Sequence, residues 1–97
     1  MSFFFNEAAR VEHLEHVAYY ESCQIGLGAR YLLAFDEAMG IVCEAPDRYR
    51  VEFQPAIRKY RVPGFPYNIL YRIVDSDIEV LVVAAHRRRP GYWLGRL

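Results

Sequence analysis

The sequence lacks most of the motifs that would assign a chemistry directly. It contains two cysteines among 97 residues, Cys23 and Cys43, and they form neither a CxxC motif nor a metal-ligand spacing. It has no glycine-rich phosphate loop, no Ser-His-Asp arrangement and no nucleotide-binding fingerprint. His13 and His16 lie three residues apart on a predicted helix, but no third ligand accompanies them. We therefore expect reduced thiols on two core cysteines, no metal site and no cofactor.

Long hydrophobic runs and a targeting leader are missing as well. No stretch approaches the roughly 20 apolar residues that are needed to cross a bilayer. The first seven residues carry neither the positive charge nor the long apolar segment of a signal peptide. The sequence thus predicts a soluble, cytoplasmic protein that has no membrane partner.

Net charge is zero overall, but the two halves of the chain differ in sign. Up to residue 57 there are four arginines against nine acidic residues, whereas from residue 58 there are eight Arg or Lys against three acidic residues. A basic half can bind phosphate or an acidic peptide, because arginine forks and long-range attraction favour both. The alternative is that these arginines only solvate one face. For Arg87 to Arg89 both interpretations stay open.

Apolar, β-branched and aromatic residues are abundant, and they predict two adjacent strands near the C-terminus. Tyr67 to Val74 is rich in β-branched and aromatic types, and Ile78 to Ala85 is almost continuously apolar. The polar connector 75–77 suits a tight turn, because short Asp and Ser side chains can bond their own backbone. Upstream, Ile57 to Val62 carries three basic residues and is predicted to be an edge strand. Residues 45–56 before it are predicted to be a loop.

The N-terminal half predicts a short strand and two helices. Phe3 to Phe5 favours the strand, Glu7 to about Ser22 the first helix, and Leu27 to about Cys43 the second. The glycines between the helices favour a hairpin. We expect one domain over residues 1–97, of class α+β: a short N-terminal strand and a helical hairpin packed on one face of an antiparallel sheet of three to four strands.

The first helix is predicted to be amphipathic, because its apolar residues recur at intervals of three and four. Such a helix turns its apolar stripe to the core and its charged residues to water. The predicted inner positions are Val11, Leu14, Val17, Ala18 and Tyr20, and the predicted outer positions are Glu12, Glu15, His16 and Glu21.

Five short motifs follow one another along the chain. They are Tyr19-Tyr20-Glu21, Gly26-Leu27-Gly28, Ile57-Arg58, the run from Phe65 to Tyr71, and the run from Ala85 to Trp93. Their order and spacing resemble the RelE/ParE superfamily over essentially the whole chain. Its members are toxins of type II toxin–antitoxin pairs, often labelled plasmid stabilisation proteins. The resemblance implies a cognate antitoxin that holds the toxin inactive, with a toxin–antitoxin hetero-oligomer as one arrangement.

The resemblance implies two kinds of target. RelE-like members enter the ribosome and cut mRNA, whereas ParE-like members inhibit DNA gyrase without a nuclease site of their own. In the nucleases an arginine usually follows the strand aromatic that corresponds to Tyr67, and this sequence has Asn68 there. Asparagine supplies no permanent charge to a transition state. The side chains therefore favour a ParE-like protein target such as DNA gyrase.

A metal-independent, ribosome-dependent mRNA endoribonuclease is the alternative, and a non-toxic remnant that only binds an antitoxin-like protein is the third hypothesis. Histidine is the side chain best suited to proton transfer near neutral pH, although a structural role of His86, fixing the strand end to the tail, is the interpretation that the sequence favours. The aromatic C-terminus favours either stacking on RNA bases or packing over the open sheet face. The candidate residues are, for catalysis in a nuclease, His86, Arg87 and Tyr92, and, for RNA or partner binding, Arg58, Arg61, Arg72, Arg88, Arg89 and Trp93.

Overall fold

The computed structural model describes residues 1–97 and contains two helices and five strands. The elements are β1 (Phe3–Phe5), α1 (Glu7–Cys23), α2 (Leu27–Glu44), β2 (Val51–Phe53), β3 (Ile57–Arg61), β4 (Tyr67–Val74) and β5 (Asp77–Ala85), with short 3-10 turns at Pro46–Arg48 and Leu94–Arg96. The strands form one sheet of order β1-β5-β4-β3-β2. In this sheet β1 is parallel to β5 and the other pairs are antiparallel. Neither helix has the length and apolar character of a membrane span.

The α+β class, the helical hairpin, the β4–β5 hairpin and the N-terminal strand are confirmed, and both helices end within one residue of the predicted positions. The sheet has five strands rather than three to four, because β2 pairs with β3 where a loop was predicted. Consequently β3 is not an edge strand. A strand of three residues is too short to reveal an alternation of apolar and polar positions in the sequence.

Apolar side chains cover both faces of the sheet. On one face, Tyr31 and Phe35 of α2 pack against the buried side chains of β4 and β5. On the other face, Trp93 packs with Leu70 and Phe53, and its ring centroid lies 4.8 Å from that of Phe53. The C-terminal tail (residues 90–97) therefore forms a second layer on the face that the helices leave open.

The turn between the helices depends on Glu21 and two glycines. Gly26 adopts a φ of 88°, which strongly favours glycine. Gly28 lies so close to α1 that an added Cβ would stand 2.9 Å from the carbonyl oxygen of Val17. The carboxylate of Glu21 accepts hydrogen bonds from the backbone N–H groups of both glycines, at 3.0 and 3.1 Å. Glu21 thereby satisfies donors that the N-terminus of α2 leaves free.

The predicted inner face of α1 is wrong in part. The buried residues of this helix are Ala9 and His13, whereas Val11 and Leu14 keep 46% and 51% of their surface exposed. The helix is therefore rotated relative to its apolar stripe. Cys23 at its end is exposed as well, so the prediction of a core position for this thiol is wrong.

The edge of β5 explains this rotation of α1. Up to Val80 the edge is paired, and the carbonyl oxygen of Val80 still accepts the N–H of Asn6 at 2.8 Å. Beyond it, His16 Nε2 lies 2.9 Å from the carbonyl oxygen of Val83, and Glu12 accepts a hydrogen bond from the N–H of Val83 at 3.3 Å. Buried backbone groups need such partners. Polar side chains of α1 must therefore face the sheet at this edge.

His13 is the one polar residue of the helix-side core. The centroid of its ring lies 5.0 Å from that of Phe5 and 4.3 Å from that of Phe35, and the Tyr31 hydroxyl lies 3.5 Å from its Nδ1. Burial, and to a lesser degree the neighbouring His16 ring, lowers the pKa of His13 below the ordinary value of 6.5. The core therefore accommodates the neutral imidazole.

We expect His13 to make the protein less stable in mild acid. Because its pKa is the lower one in the folded state, the unfolded chain binds this proton more readily as the pH falls below 6.5. Urea unfolding from about pH 7.5 to about pH 5 should show a falling free energy of unfolding, and His13→Phe should reduce that fall. His86→Asn, at an exposed position, is the control and should retain it. An identical pH slope in His13→Phe and the parent chain would contradict the assignment.

Trp93→Ala should lower the free energy of unfolding by about 3–5 kcal/mol, because it empties the centre of the tail-side layer. The indole is only 2% exposed. Leu94→Ala is the matched control, because Leu94 is 50% exposed, and it should change the same quantity by about 0.5 kcal/mol or less. Urea denaturation measures both. Equal losses in the two variants would show that the tail does not pack on the sheet in solution.

Candidate functional site

Basic residues leave the sheet together at the end of β5. The strand keeps its pairing up to Ala85, opposite Tyr67, and the N–H of His86 still donates to the carbonyl oxygen of Pro66 at 3.0 Å. The chain then turns, because the N–H of Arg88 donates back to the carbonyl oxygen of Ala85 at 3.0 Å. Residues 86–89, which we name the basic rim, are exposed as a result.

One cavity beside the basic rim lies between the C-terminal tail and the strands. We name it the tail-side cavity, and its volume is about 300 Å³. Its wall includes Phe53, Ala84 and Tyr92, which pack in the cluster of Trp93, so it opens on the face of the sheet opposite the helices. Its main polar lining residues are Glu52, Lys59, Asn68, His86, Arg88 and Tyr92.

A second cavity lies on the other side of the rim, between the C-terminal part of α1 and the start of β4. We name it the helix-side cavity, and its volume is about 580 Å³. Three tyrosine rings form much of its wall, and Arg87 contributes its charge. Its main lining residues are Tyr19, Tyr20, Pro66, Tyr67, His86 and Arg87.

The structure brings part of the predicted set together. Four predicted residues line the tail-side cavity: His86, Arg88, Arg89 and Tyr92. Arg87 lines the helix-side cavity instead. Arg61 is exposed, and it lies opposite Asn68 in the register of β3 and β4, at the same end of the sheet.

Three predicted residues do not join this group. Arg58 turns to the segment after α2, where its Nη1 donates to two backbone carbonyl oxygens at 3.1 and 2.6 Å. Arg72 forms an ion pair with Glu79, with Nε 2.8 Å from the carboxylate. Trp93 is buried, so stacking of an RNA base on its ring loses its main support. The predicted cluster of Arg58 with the rim arginines therefore does not form.

Glu12 organises the tail side. Its carboxylate accepts hydrogen bonds from the Tyr92 hydroxyl at 2.6 Å and from the Arg96 guanidinium at 2.8 Å. Arg96 also donates to the carbonyl oxygen of Leu81 at 3.0 Å. Burial opposes the ionisation of Glu12, but the hydrogen bonds from Arg96, Tyr92 and Val83 outweigh it and lower its pKa below the ordinary 4.5. Glu12 is therefore the charged anchor of the tail.

Sequence reasoning missed Glu12, Arg96 and Lys59. The helical periodicity placed Glu12 on the solvent side of α1, and Arg96 is 84 residues away along the chain. No local pattern connects two such positions. The only available signal was general: the excess of basic residues in the C-terminal half favours partners among the acids of the N-terminal half.

Several charged groups beside the tail-side cavity are already paired. Lys59 Nζ lies 2.6 Å from the carboxylate of Glu52, and the Arg88 guanidinium lies 3.9 Å from the ring centroid of Tyr92. Burial, together with the hydrogen bond to Glu12, raises the pKa of Tyr92 well above its ordinary value. No group of three or more His, Cys, Asp or Glu is placed to hold a metal ion. Lys59, Arg88 and Tyr92 are therefore engaged in internal contacts of the fold.

Comparison with known proteins supports the resemblance. A family model described as "ParE toxin of type II toxin-antitoxin system, parDE" matches residues 4–90. The fold is similar to a solved structure titled "Chromosomal ParDE TA system from P. aeruginosa", with a TM-score of 0.72 and 16% sequence identity, over 88% of this chain and 95% of that chain. No curated protein matches the sequence. At this identity the structural likeness concerns the fold alone.

Glu12→Gln should lower the free energy of unfolding by about 1–3 kcal/mol, because Arg96 loses its charged partner. Since the pKa of Glu12 is lower in the folded state, its contribution is complete above pH 4.5 and is lost as the pH falls through the folded value. Urea unfolding should therefore show a smaller fall in the free energy of unfolding below pH 4.5 for Glu12→Gln than for the parent chain. Glu15→Gln, at an exposed position of the same helix, should show the same fall as the parent chain. An identical pH dependence of the unfolding free energy in the two variants would exclude this role of Glu12.

Proposed function

Because the chain belongs to the ParE toxin family of type II toxin–antitoxin systems, we propose that it arrests growth by binding a protein target and that a cognate antitoxin neutralises it. DNA gyrase is the leading target, as in the ParE-like branch of the superfamily. One observation carries this choice over a nuclease. The side chains around the tail-side cavity that would move protons or stabilise a phosphate are largely held in internal contacts.

Proton transfer is the first step that these contacts disfavour. A metal-free ribonuclease needs a base for the ribose 2′-hydroxyl and an acid for the leaving oxygen. The Tyr92 hydroxyl donates to Glu12 at 2.6 Å, and the raised pKa of Tyr92 disfavours its phenolate form. Glu52, the carboxylate that lines the cavity, is paired with Lys59. His86 is left without a second proton-transfer group.

Stabilisation of a phosphate is the second step that they disfavour. Preorganised cations must meet the charge that develops on the phosphate oxygens. The strand position that carries an arginine in RelE-like nucleases is Asn68, and the charge of Lys59 is offset by Glu52. Arg88 lies against the Tyr92 ring. These groups supply a weak electrostatic site for a transition state.

Protein binding suits the same surface better. Arg87 and Arg89 are exposed and take part in none of the four ion pairs of the structure. Unpaired guanidinium groups attract and orient an acidic partner. We therefore assign the basic rim to partner recognition, with Arg61 at the same sheet end. A gyrase target places the toxin in the cytoplasm.

A ribosome-dependent mRNA endoribonuclease is the second candidate function. The observation in its favour is that His86, Asn68 and Arg88 line one cavity of about 300 Å³. A histidine and a guanidinium group that share a cavity can act on one phosphate. In this reading His86 transfers the proton, and Arg88 with Arg61 binds RNA.

Expression of the chain without an antitoxin should arrest growth and remove negative supercoils from a reporter plasmid before translation falls. The reason is that gyrase inhibition acts on DNA topology first. Plasmid supercoiling and pulse-labelled translation, measured over the same time course, decide the target. Loss of translation with unchanged supercoiling would overturn the gyrase target and favour the nuclease. Unimpaired growth at full expression would favour a non-toxic antitoxin-binding remnant.

His86→Ala separates the two functions at the level of a residue. If His86 transfers a proton, its removal should slow mRNA cleavage by about 10²–10⁴-fold. If gyrase is the target, growth arrest should persist in His86→Ala. New mRNA 5′ ends should then be absent from cells that express either protein. Glu15→Ala, at an exposed position outside the site, controls for expression. Growth arrest that disappears with His86, together with new mRNA 5′ ends in the parent chain, would reject the protein-target proposal.

A further inference from the structure

The helix-side cavity has the dimensions of a ligand site. Its volume of about 580 Å³ lies within the range of about 300–1,000 Å³ that is typical of such sites. Its rim residues, His86 and Arg87, belong to the surface that we assign to partner recognition, whereas its tyrosine wall has no role in that proposal. The cavity combines an aromatic wall with one guanidinium group, so it can hold an apolar group and an anion side by side.

The aromatic wall is held in place by ring contacts. Tyr67 is 8% exposed and stacks on His16, with ring centroids 4.0 Å apart. Tyr20 meets Tyr67 edge to face at 6.1 Å and meets Tyr19 in the same way at 5.3 Å. Tyr19 stays 60% exposed at the mouth. Rings fixed in this way offer apolar contact area at a low entropic cost.

Arg87 supplies the charge of the cavity. It forms no ion pair and no cation–π contact within the chain. Arg87 and Tyr67 line the same cavity, so the guanidinium shares this space with the Tyr67 ring. A guanidinium without an internal partner, next to phenol groups that can donate hydrogen bonds, is suited to a carboxylate.

We propose that the helix-side cavity binds a peptide carboxylate together with a neighbouring apolar side chain, and that the antitoxin supplies this peptide. The carboxylate of a Glu or Asp pairs with Arg87, and the apolar side chain packs between Tyr19, Tyr20 and Tyr67. The inference rests on the proposed function in one respect, since neutralisation by an antitoxin is part of it. The family implies such a partner.

The geometry of the rim favours a peptide over a nucleic acid. A nucleic-acid strand is held by successive cations that follow its phosphates. Here Arg87 lines the helix-side cavity, whereas Arg88 and Arg89 line the tail-side cavity on the other face. The helix-side cavity therefore offers a single cation in a mainly aromatic wall. One carboxylate beside one apolar group matches that composition.

Nuclear magnetic resonance titration of the ¹⁵N-labelled full chain tests the proposal. The probe is a capped tripeptide of leucine, glutamate and phenylalanine, compared with the same peptide carrying glutamine. The glutamate peptide should give saturable shifts at the amides of Tyr19, Tyr67 and Arg87. The glutamine peptide should bind about tenfold or more weakly, because the charge-assisted hydrogen bonds to Arg87 are lost.

Two variants with equal loss of charge sharpen the test. Arg87→Gln should weaken binding of the glutamate peptide by about tenfold or more. Arg30→Gln, on the exposed face of α2, should leave the affinity unchanged. The dispersion of the amide spectrum shows that both variants are folded. Equal weakening by the two substitutions would show that only the net charge of the protein matters, and it would overturn the proposal.

Other outcomes are equally decisive. Equal affinity for the two peptides, or the absence of saturable shifts from either one, would overturn the proposal. Uridine monophosphate is a competing probe. If it shifts the same amides and binds more tightly than the glutamate peptide, the ligand of the cavity is a nucleic acid and the proposal is overturned. If the peptides fail but the chain arrests growth and an antitoxin relieves the arrest, only this cavity assignment is wrong. Peptide binding without growth arrest would support the cavity and count against the toxic activity.

Discussion

The backbone of β5 beyond the reach of β1 is the constraint on which the rest of the structure depends. β1 has three residues and β5 has nine, so one edge of β5 continues unpaired past Val80. A buried backbone group without a partner costs about 1–3 kcal/mol. The carbonyl oxygen of Leu81 is bonded by Arg96, and the backbone groups of Val83 are bonded by His16 and Glu12. Helix α1 and the C-terminal tail are therefore fixed to the same short stretch of strand.

This constraint also determines how the charge of the chain is used. The acidic N-terminal half and the basic C-terminal half meet at Glu12 and Arg96, whose ion pair has both side chains mostly buried. The same carboxylate accepts a hydrogen bond from the Tyr92 hydroxyl, so a phenol that could serve catalysis has a structural role instead. The charge without an internal partner is left on the rim at Arg87 and Arg89. Structural pairing on the tail side and free charge on the rim are thus two results of one arrangement.

The sequence predicts well those elements whose pattern is local and long. The two helices and the β4–β5 hairpin each extend over eight or more residues, and their periodicity or composition was sufficient. β2 was missed because three residues carry no period. The inner face of α1 was misassigned because Glu12 and His16 must face the sheet edge to form hydrogen bonds with its backbone. A hydropathy pattern contains no information about such bonds. Pairing of Glu12 with Arg96 is a tertiary contact, so only the fold could reveal it.

Consecutive residues past the end of β5 serve opposite sides of the molecule, and this has a consequence for inhibition. His86 lines both cavities, Arg87 lines the helix-side cavity, and Arg88 lines the tail-side cavity. An acidic peptide that pairs with Arg87 would neutralise one of the positive charges of the rim. It would weaken the attraction of the whole rim for an acidic target without covering the tail-side face. In the proposed arrangement, an antitoxin therefore reduces target binding through charge as well as through steric exclusion.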